Sequence, residues 1–451
     1  LGYGLKSGGK VDAVVKERAL HCLRKFRERL VNIPPENSRA VGTLTLRKMK
    51  DPEFIREAEA ALGLPIDIIS GREEARLIYL GVSQYVHEEN EELFVIDIGG
   101  GSTEFILGVN DEIKAAYSRE VGCVNMTRKF FPDGEFTQKG YNKAIIWIES
   151  ELQSLRYLMP YRDAYFVGAS GTIKTINVLT EYLGMQDEEV TFEAIKRLIR
   201  KFIALGSTKR IAKFFDISDE RGNVVGAGLV ILQAIFKVLD IKQMGVTSVS
   251  LREGMLFDLL GRVQQKDRRD ETIQSVVKRF GADENQARRV AITSAKIAKI
   301  VEQETGQALS EAALRYLKWA SLLHEIGLAV SHHRHYRHSA YLIEHADLDG
   351  FTKQDQKILP TLIHNHQRKI DLEDFENLPP YTLMITLILR FAVLFNRGRY
   401  LQKAPNFKIA IQGTEIDVSF EEGWLRDHPL FREDLKSEKN ILKRSGIALT
   451  W

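Results

Sequence analysis

At 451 residues, with charged and apolar residues in ordinary proportion, the chain is too long for one ordinary core and reads as roughly two to four globular domains. Its net charge of +3 is close to balance, so any site for a polyanion must be a local patch and not a property of the whole surface. The two cysteines, Cys22 and Cys123, exclude a disulfide framework and suit a reducing compartment; the longest apolar run, 229–239, is broken by Gln233 and Lys237 and falls short of a membrane span, and no signal-peptide pattern is present.

In chain order, Val14, Val15, Leu20, Leu23, Phe26 and Leu30 recur between charges and predict an amphipathic helix over 11–30, ended by Pro34-Pro35. A strand over 39–43, a helix stopped after Leu62 by Gly63 and Pro65, and a strand over 65–69 argue for an α/β layer. The next helix, 70–81, opens on Ser70 as N-cap, and Glu73 three residues on completes a capping box. Glu73 therefore has a structural reason. Glu74 has none of that kind, although any acid in a first turn gains from the helix macrodipole.

The stretch Phe94-Val95-Ile96-Asp97-Ile98-Gly99-Gly100-Gly101-Ser102-Thr103-Glu104-Phe105-Ile106-Leu107 reads as two apolar strands joined by a glycine turn. Three glycines let the backbone curl and an anion come close to successive N–H groups. Asp97 interrupts an apolar strand, and a buried carboxylate needs a cation or donors; Mg²⁺ suits the place. The alternative is a glycine hairpin with Asp97 capping its own turn. A strand over 113–120, a turn at Gly122-Cys123-Val124 and helices over 138–158 follow. Tyr165-Phe166-Val167 then enters Gly168-Ala169-Ser170-Gly171-Thr172 and a helix over 173–183, which is either an anion site at a helix N-terminus or a tight strand-to-helix turn. A buried helix over 222–239 and a strand over 244–250 lead into Leu251-Arg252-Glu253-Gly254 and a further helix.

The charged run 262–270 reads as a linker. Beyond it, helical segments at 276–280, 287–305, 310–328, 339–345 and 353–368 predict an all-α domain, and 406–420 alternates as two strands around Gly413. Histidines gather here: His324, His332, His333, His335, His338, His345, His364 and His366. Such density suits a metal or, with Arg334, Arg337, Arg368 and Lys369 interleaved, contact with a polyanion.

Taken together, these motifs resemble the exopolyphosphatase/guanosine pentaphosphate phosphohydrolase (Ppx/GppA) family in its long bacterial form. The resemblance rests on the Asp97 to Glu104 loop, Gly42-Thr43-Leu44-Thr45-Leu46-Arg47, Ser70-Gly71-Arg72-Glu73-Glu74-Ala75-Arg76, Val167-Gly168-Ala169-Ser170-Gly171-Thr172, Leu251-Arg252-Glu253-Gly254, and Leu323-His324-Glu325-Ile326-Gly327 with Arg337-His338-Ser339-Ala340-Tyr341. It covers nearly the whole chain. It implies an α/β fold of two actin-like (sugar-kinase-like) domains, a partial one at 1–78 and a second at 79–262. An all-α HD-like domain at 263–398 and a small C-terminal α+β subdomain at 399–451 would follow. It implies hydrolysis of the terminal phosphoanhydride of inorganic polyphosphate. Alternatives are guanosine pentaphosphate 5'-phosphohydrolase activity and binding of polyphosphate or nucleotide without turnover.

The resemblance also assigns roles. Glu74 is the general base toward water, with Glu104 as a second catalytic carboxylate. Asp97 holds Mg²⁺ or Mn²⁺. Thr43, Arg47, Gly99, Gly100, Gly101, Ser102, Ser170 and Gly171 bind phosphate, and Arg334, Arg337, His338, Arg368 and Lys369 contact a polyanion. A cytoplasmic or membrane-peripheral homodimer, without specific nucleic acid or integral membrane association, is the expected setting. Three departures stand out. Relatives carry a glycine- or alanine-rich turn before Leu-Arg-Glu-Gly, where this chain has Thr247-Ser248-Val249-Ser250. The HD position reads His324-Glu325. The first phosphate loop of the family, Asp-x-Gly-Ser-Asn, has no match in 1–31, so the chain alone is expected to be poorly soluble or nearly inactive.

Overall fold

The computed structural model describes residues 4–5, 8–86, 92–161, 163–185, 189–263, 267–399 and 406–451, with Val263 in its backbone alone. Part of the expected linker, 264–266, lies outside the described residues. The chain divides into two compact units, Leu1–Asp267 and Arg268–Trp451.

The first unit opens with α1 (Ala13–Leu30), whose Leu20 packs on Phe54 and Ala58 of α3 (Pro52–Leu62). Between them lie β1 (Ala40–Gly42) and the short α2 (Leu44–Arg47); β2 (Ile66–Ile68) returns parallel to β1. Helix α4 (Gly71–Ser83) follows, capped by the Ser70 hydroxyl, which accepts from the Glu73 N–H. The expected boundary at 78/79 falls inside this helix.

The main sheet has the order β5-β4-β3-β6-β8-β7. Its strands are β3 (Glu92–Ile98), β4 (Thr103–Val109), β5 (Glu112–Arg119), β6 (Tyr165–Gly168), β7 (Val190–Thr191) and β8 (Gln243–Val246). β3, β4 and β5 form an antiparallel meander, while β6 and β8 extend the sheet parallel to β3. This is the actin-like arrangement. Side chains alternate across β3 and β4, and both faces are covered. Leu93, Val95 and Ile106 pack on Ala75, Ile78, Tyr79 and Val82 of α4. Phe94, Ile96, Ile98, Phe105 and Leu107 join the larger core around α11 (introduced below).

The helices of that side are α5 (Cys123–Phe130), α6 (Gln138–Leu152), α7 (Leu155–Leu158), α8 (Gly171–Tyr182), α9 (Phe192–Leu205), α10 (Thr208–Phe215) and α11 (Asp219–Val238); α12 (Leu251–Val263) closes the unit against α4. Two of them, α9 and α10, are additional to the elements expected from sequence. Gly122-Cys123-Val124 is not a free turn, because Gly122 is the N-cap of α5. Helix α11 is long and apolar enough to cross a bilayer by length and composition, yet most of it is buried among α5, α6, α8, α9 and α10 as the central helix of the unit.

In the second unit the helices are α13 (Arg268–Arg279), α14 (Glu284–Thr305), α15 (Glu311–Leu323), α16 (His335–His345), α17 (Asp355–Asn365) and α18 (Tyr381–Phe395). The end of the expected linker, 268–270, is thus the first turn of α13. A hairpin of β9 (Phe407–Gln412) and β10 (Glu415–Phe420) turns on Gly413, and α19 (Trp424–Asp427), α20 (Pro429–Lys443) and β11 (Ala448–Thr450) complete a three-stranded sheet. A single apolar core runs from Ile273 to Leu449 through helices and strands alike. Helix α18 went unseen in the sequence because every residue from Ile385 to Ala392 is buried, which erases the 3.6-residue period.

Candidate active site

The alternation that buries Val95 and Ile106 against α4 puts Asp97 and Glu104 on that same face, at the strand ends beside the glycine loop. The two are directly opposed in the antiparallel ladder. Asp97 is 8% exposed and Glu104 1%. Like charges opposed in a sheet repel, and neither carboxylate has a cationic partner among the described residues. Asp97 instead accepts from the Ser250 hydroxyl at 2.5 Å. Glu104 Oε1 accepts from the Ser118 hydroxyl at 2.8 Å, and Ser102 also donates to it. Burial pushes both carboxyls above the ordinary range, and for Glu104 the neighbouring Glu74 and Asp97 push it well above.

Glu74 reaches the same place from the first turn of α4. Arg47 Nη1 donates to Glu74 Oε2 at 3.0 Å and to the Ile69 carbonyl at 2.8 Å, and the Thr43 hydroxyl adds a further bond to Glu74. Burial raises the Glu74 carboxyl, Arg47 draws it partly back, and Asp97 adds to the rise. The close approach depends on Gly71, where a methyl group would lie 2.6 Å from Ser118 Cβ on β5. Thr43, Arg47, Glu74, Asp97 and Glu104 are therefore brought together, with the Arg47 guanidinium on Glu74 and the other two carboxylates beside that pair.

The glycine loop adjoins them. Gly99 N–H donates to the Ser102 carbonyl at 2.9 Å, and the carbonyls of Gly99, Gly100 and Gly101 accept from Cys123 N, Val124 N and Asn125 Nδ2 at 3.0, 2.8 and 2.9 Å. The carbonyls thus face the start of α5. Among the described residues no acceptor faces the N–H groups of Gly100, Gly101 or Ser102, the polarity an anion requires. Close approach at Gly101, and not curl, is what requires glycine here. None of the three has a positive φ, but a methyl at Gly101 would meet Leu44 Cδ2 at 2.5 Å.

Ser170 stands beside this loop, because β6 lies next to β3 and Ala169 N–H bonds the Ile96 carbonyl. Its hydroxyl caps α8 by accepting from Ile173 N–H at 3.0 Å. Gly171 faces Arg221, whose Nη1 would be 3.6 Å from a methyl placed there. Arg221 and Ser250 are site residues that the sequence reading missed. Ser250 lies in the departure from the family turn, where its N–H also donates to Glu253 Oε2 at the start of α12. The departure itself was the available signal. Arg221 carries none. The tight contact of α12 on α4, where a methyl at Gly254 would sit 1.7 Å from the Leu77 carbonyl oxygen, aims Ser250 at Asp97.

A second charged cluster lies between the same two helices. Arg76 donates to both Glu73 oxygens, at 2.7 and 2.8 Å, and to Asp258 at 2.5 Å. Arg39 and Arg262 also bond Asp258, at 2.7 and 3.0 Å. Burial works to raise the Asp258 carboxyl, but Arg76, Arg262 and Arg39 together hold it below its ordinary value. The carboxylate of Glu73 thus serves an ion network more than a capping box. In the second unit, Arg334, Arg337, Arg368 and Lys369 are exposed around α16 and the end of α17, and His338 is half-buried.

A sheet of this order, with glycine-loop amides that meet no acceptor among the described residues beside buried carboxylates and an arginine, suits the handling of phosphate. The chain belongs to the Ppx/GppA phosphatase family, whose members hydrolyse phosphoanhydride bonds. The family profile matches residues 1–263, and that of Ppx/GppA phosphatase domain III matches residues 268–439. The chain is 34% identical over 455 residues to a guanosine-5'-triphosphate,3'-diphosphate pyrophosphatase of Aeromonas salmonicida, covering 99% of this chain and 90% of that protein. Among solved structures, an exopolyphosphatase from Cytophaga hutchinsonii is 24% identical, covering 57% of this chain and 86% of its own, with a TM-score of 0.51. An exopolyphosphatase-like protein is 23% identical over 58% of this chain and 89% of its own, with a TM-score of 0.53. These two likenesses bear on the fold.

Proposed function

We propose that the first unit hydrolyses the terminal phosphoanhydride of guanosine pentaphosphate, releasing orthophosphate. The observation that carries this reading is the meeting of Glu74, Asp97 and Glu104 beside three N–H groups that face no acceptor among the described residues. Glu74 takes a proton from the attacking water. Its partner Arg47 turns from Glu74 to the phosphate, where a guanidinium fork matches the oxygens better than an ammonium. Gly100, Gly101 and Ser102 N–H groups and Arg221 hold the leaving side. Positioning and charge stabilisation supply most of the rate.

A divalent cation fits this site. The donors are all oxygens, and the pocket holds more negative than positive charge. Among the described residues no three His, Cys, Asp or Glu converge as a ready cage. Asp97 would hold Mg²⁺ or Mn²⁺ together with water and phosphate oxygens, the usual manner of Mg²⁺, with Glu104 behind it. Bound there, the ion would neutralise phosphate charge.

The guanosine substrate is favoured by the likeness to the Aeromonas salmonicida pyrophosphatase. Inorganic polyphosphate, the first expectation from sequence, is the second reading; the exposed Arg334, Arg337, Arg368 and Lys369 support it. Phosphate release by the full chain from guanosine pentaphosphate and from long-chain polyphosphate, side by side with Mg²⁺, tests both. A higher kcat/KM on the nucleotide is expected. The reverse ranking makes polyphosphate the substrate, and release from neither removes the reading.

A further inference from the structure

Among the described residues of the second unit, six buried side-chain polar atoms have no hydrogen-bond partner, and four of them fall together: His324 Nε2, His335 Nε2, His366 Nε2 and Glu325 Oε2. They come from neighbouring places, the end of α15, the start of α16 and the end of α17. The rings of His324 and His366 meet edge to face at 5.5 Å, those of His335 and His366 lie 6.0 Å apart, and Glu325 Oε1 is 3.9 Å from His324 Nε2. His324 and His366 are 1% and 2% exposed.

The opposite ring edges decide what this cluster accepts. His324 Nδ1 bonds the Ser321 carbonyl at 2.8 Å and His366 Nδ1 bonds the Ile363 carbonyl at 2.5 Å. A carbonyl only accepts, so each Nδ1 carries the proton, and in a neutral ring Nε2 is then a bare lone pair. His335 is likewise bonded to the backbone of His332. Glu325 Oε1 is taken by Arg399 at 2.7 Å, leaving Oε2. An anion has nothing to offer lone pairs. A water has two protons for four acceptor atoms. A cation satisfies all of them.

We propose that His324, His335, His366 and Glu325 form a binding site for a borderline divalent transition metal of the zinc class, clipping α15, α16 and α17 together. Three imidazoles select such ions over Mg²⁺, and Nδ1–H bonds to backbone carbonyls are the outer-shell pattern that orients ligating histidines. Among the described residues no three donors yet stand at ligand geometry. Two imidazoles sharing a tetrahedral ion place their ring centres ~5 Å apart, so the rings close by about 1 Å or less.

The test uses the full chain, stripped with chelator and titrated with Co²⁺ and Zn²⁺. One Co²⁺ per chain is expected, with the intense visible bands of a four-coordinate ion, displaced by Zn²⁺, and a higher Tm with Zn²⁺ than without. These signals persist in Asp97→Ala, which separates the site from the one in the first unit. They vanish in His324→Ala/His366→Ala, and affinity falls at least tenfold in Glu325→Gln and His335→Gln, two milder changes that report even if the double variant does not fold. Absence of the bands in the wild-type chain overturns the site, as does their loss in Asp97→Ala with survival in His335→Gln and Glu325→Gln.

Discussion

Two buried aspartates in the first unit, Asp97 on β3 and Asp258 on α12, have opposite surroundings. Asp258 is ringed by Arg39, Arg76 and Arg262, which hold its carboxyl below its ordinary value. Asp97 has a serine hydroxyl, and burial pushes it up. A buried carboxylate saturated by guanidinium groups is part of the scaffold, fixed in charge and place. One left with a single neutral donor, facing Glu104 across the ladder, lacks a counter-charge. The two carboxylates of this unit are thus told apart by counter-charge and not by burial.

The difference is sharpest in activity. Asp97→Ala is expected to take Mg²⁺-dependent phosphate release to background while leaving the Tm within a few degrees; residual Mg²⁺-stimulated turnover near wild type would move the cation elsewhere. Glu74→Gln keeps the Arg47 neighbour but loses the base, so kcat should drop about 10²–10⁴ with KM little changed, read from steady-state kinetics. Because burial raises the Glu74 carboxyl, the acid limb of the kcat profile should sit above the ordinary glutamate range and disappear in this variant.

Stability gives the opposite ranking. Asp258→Ala removes the shared partner of Arg39, Arg76 and Arg262 and should lower stability by about 3–5 kcal/mol in denaturant unfolding. A loss within ~0.5 kcal/mol would mean that the network contributes no more than a surface pair. The smallest effect has the opposite sign. A carboxyl raised in the fold contributes stability while protonated, and that contribution is lost as pH rises through the folded pKa. Glu104→Gln removes this loss, so the metal-free protein should gain on the order of 1 kcal/mol at neutral pH, with the gain shrinking toward acid pH. A loss at neutral pH would show that Glu104 already has its cation.

Much of this was legible in the sequence. Two apolar strands joined by a glycine turn put Asp97 and Glu104 on either side of that turn, the cap at Ser70 put Glu74 in a first turn, and the ordered motifs named the family. All are local signals, a period of two or three to four residues, which a chain displays without its partners. The tertiary structure decided the rest, because counter-charge comes from far along the chain. Ser250 meets Asp97 across 153 residues, and Arg39 meets Asp258 across 219. The roles of Glu73 and Glu74, adjacent and chemically alike, were set by which guanidinium each one met. Helix α18 lost its period to complete burial, and the bare Nε2 edges of His324 and His366 follow from which carbonyl each Nδ1 found. Periodicity fixes which face a side chain occupies, and only the folded chain fixes what waits there.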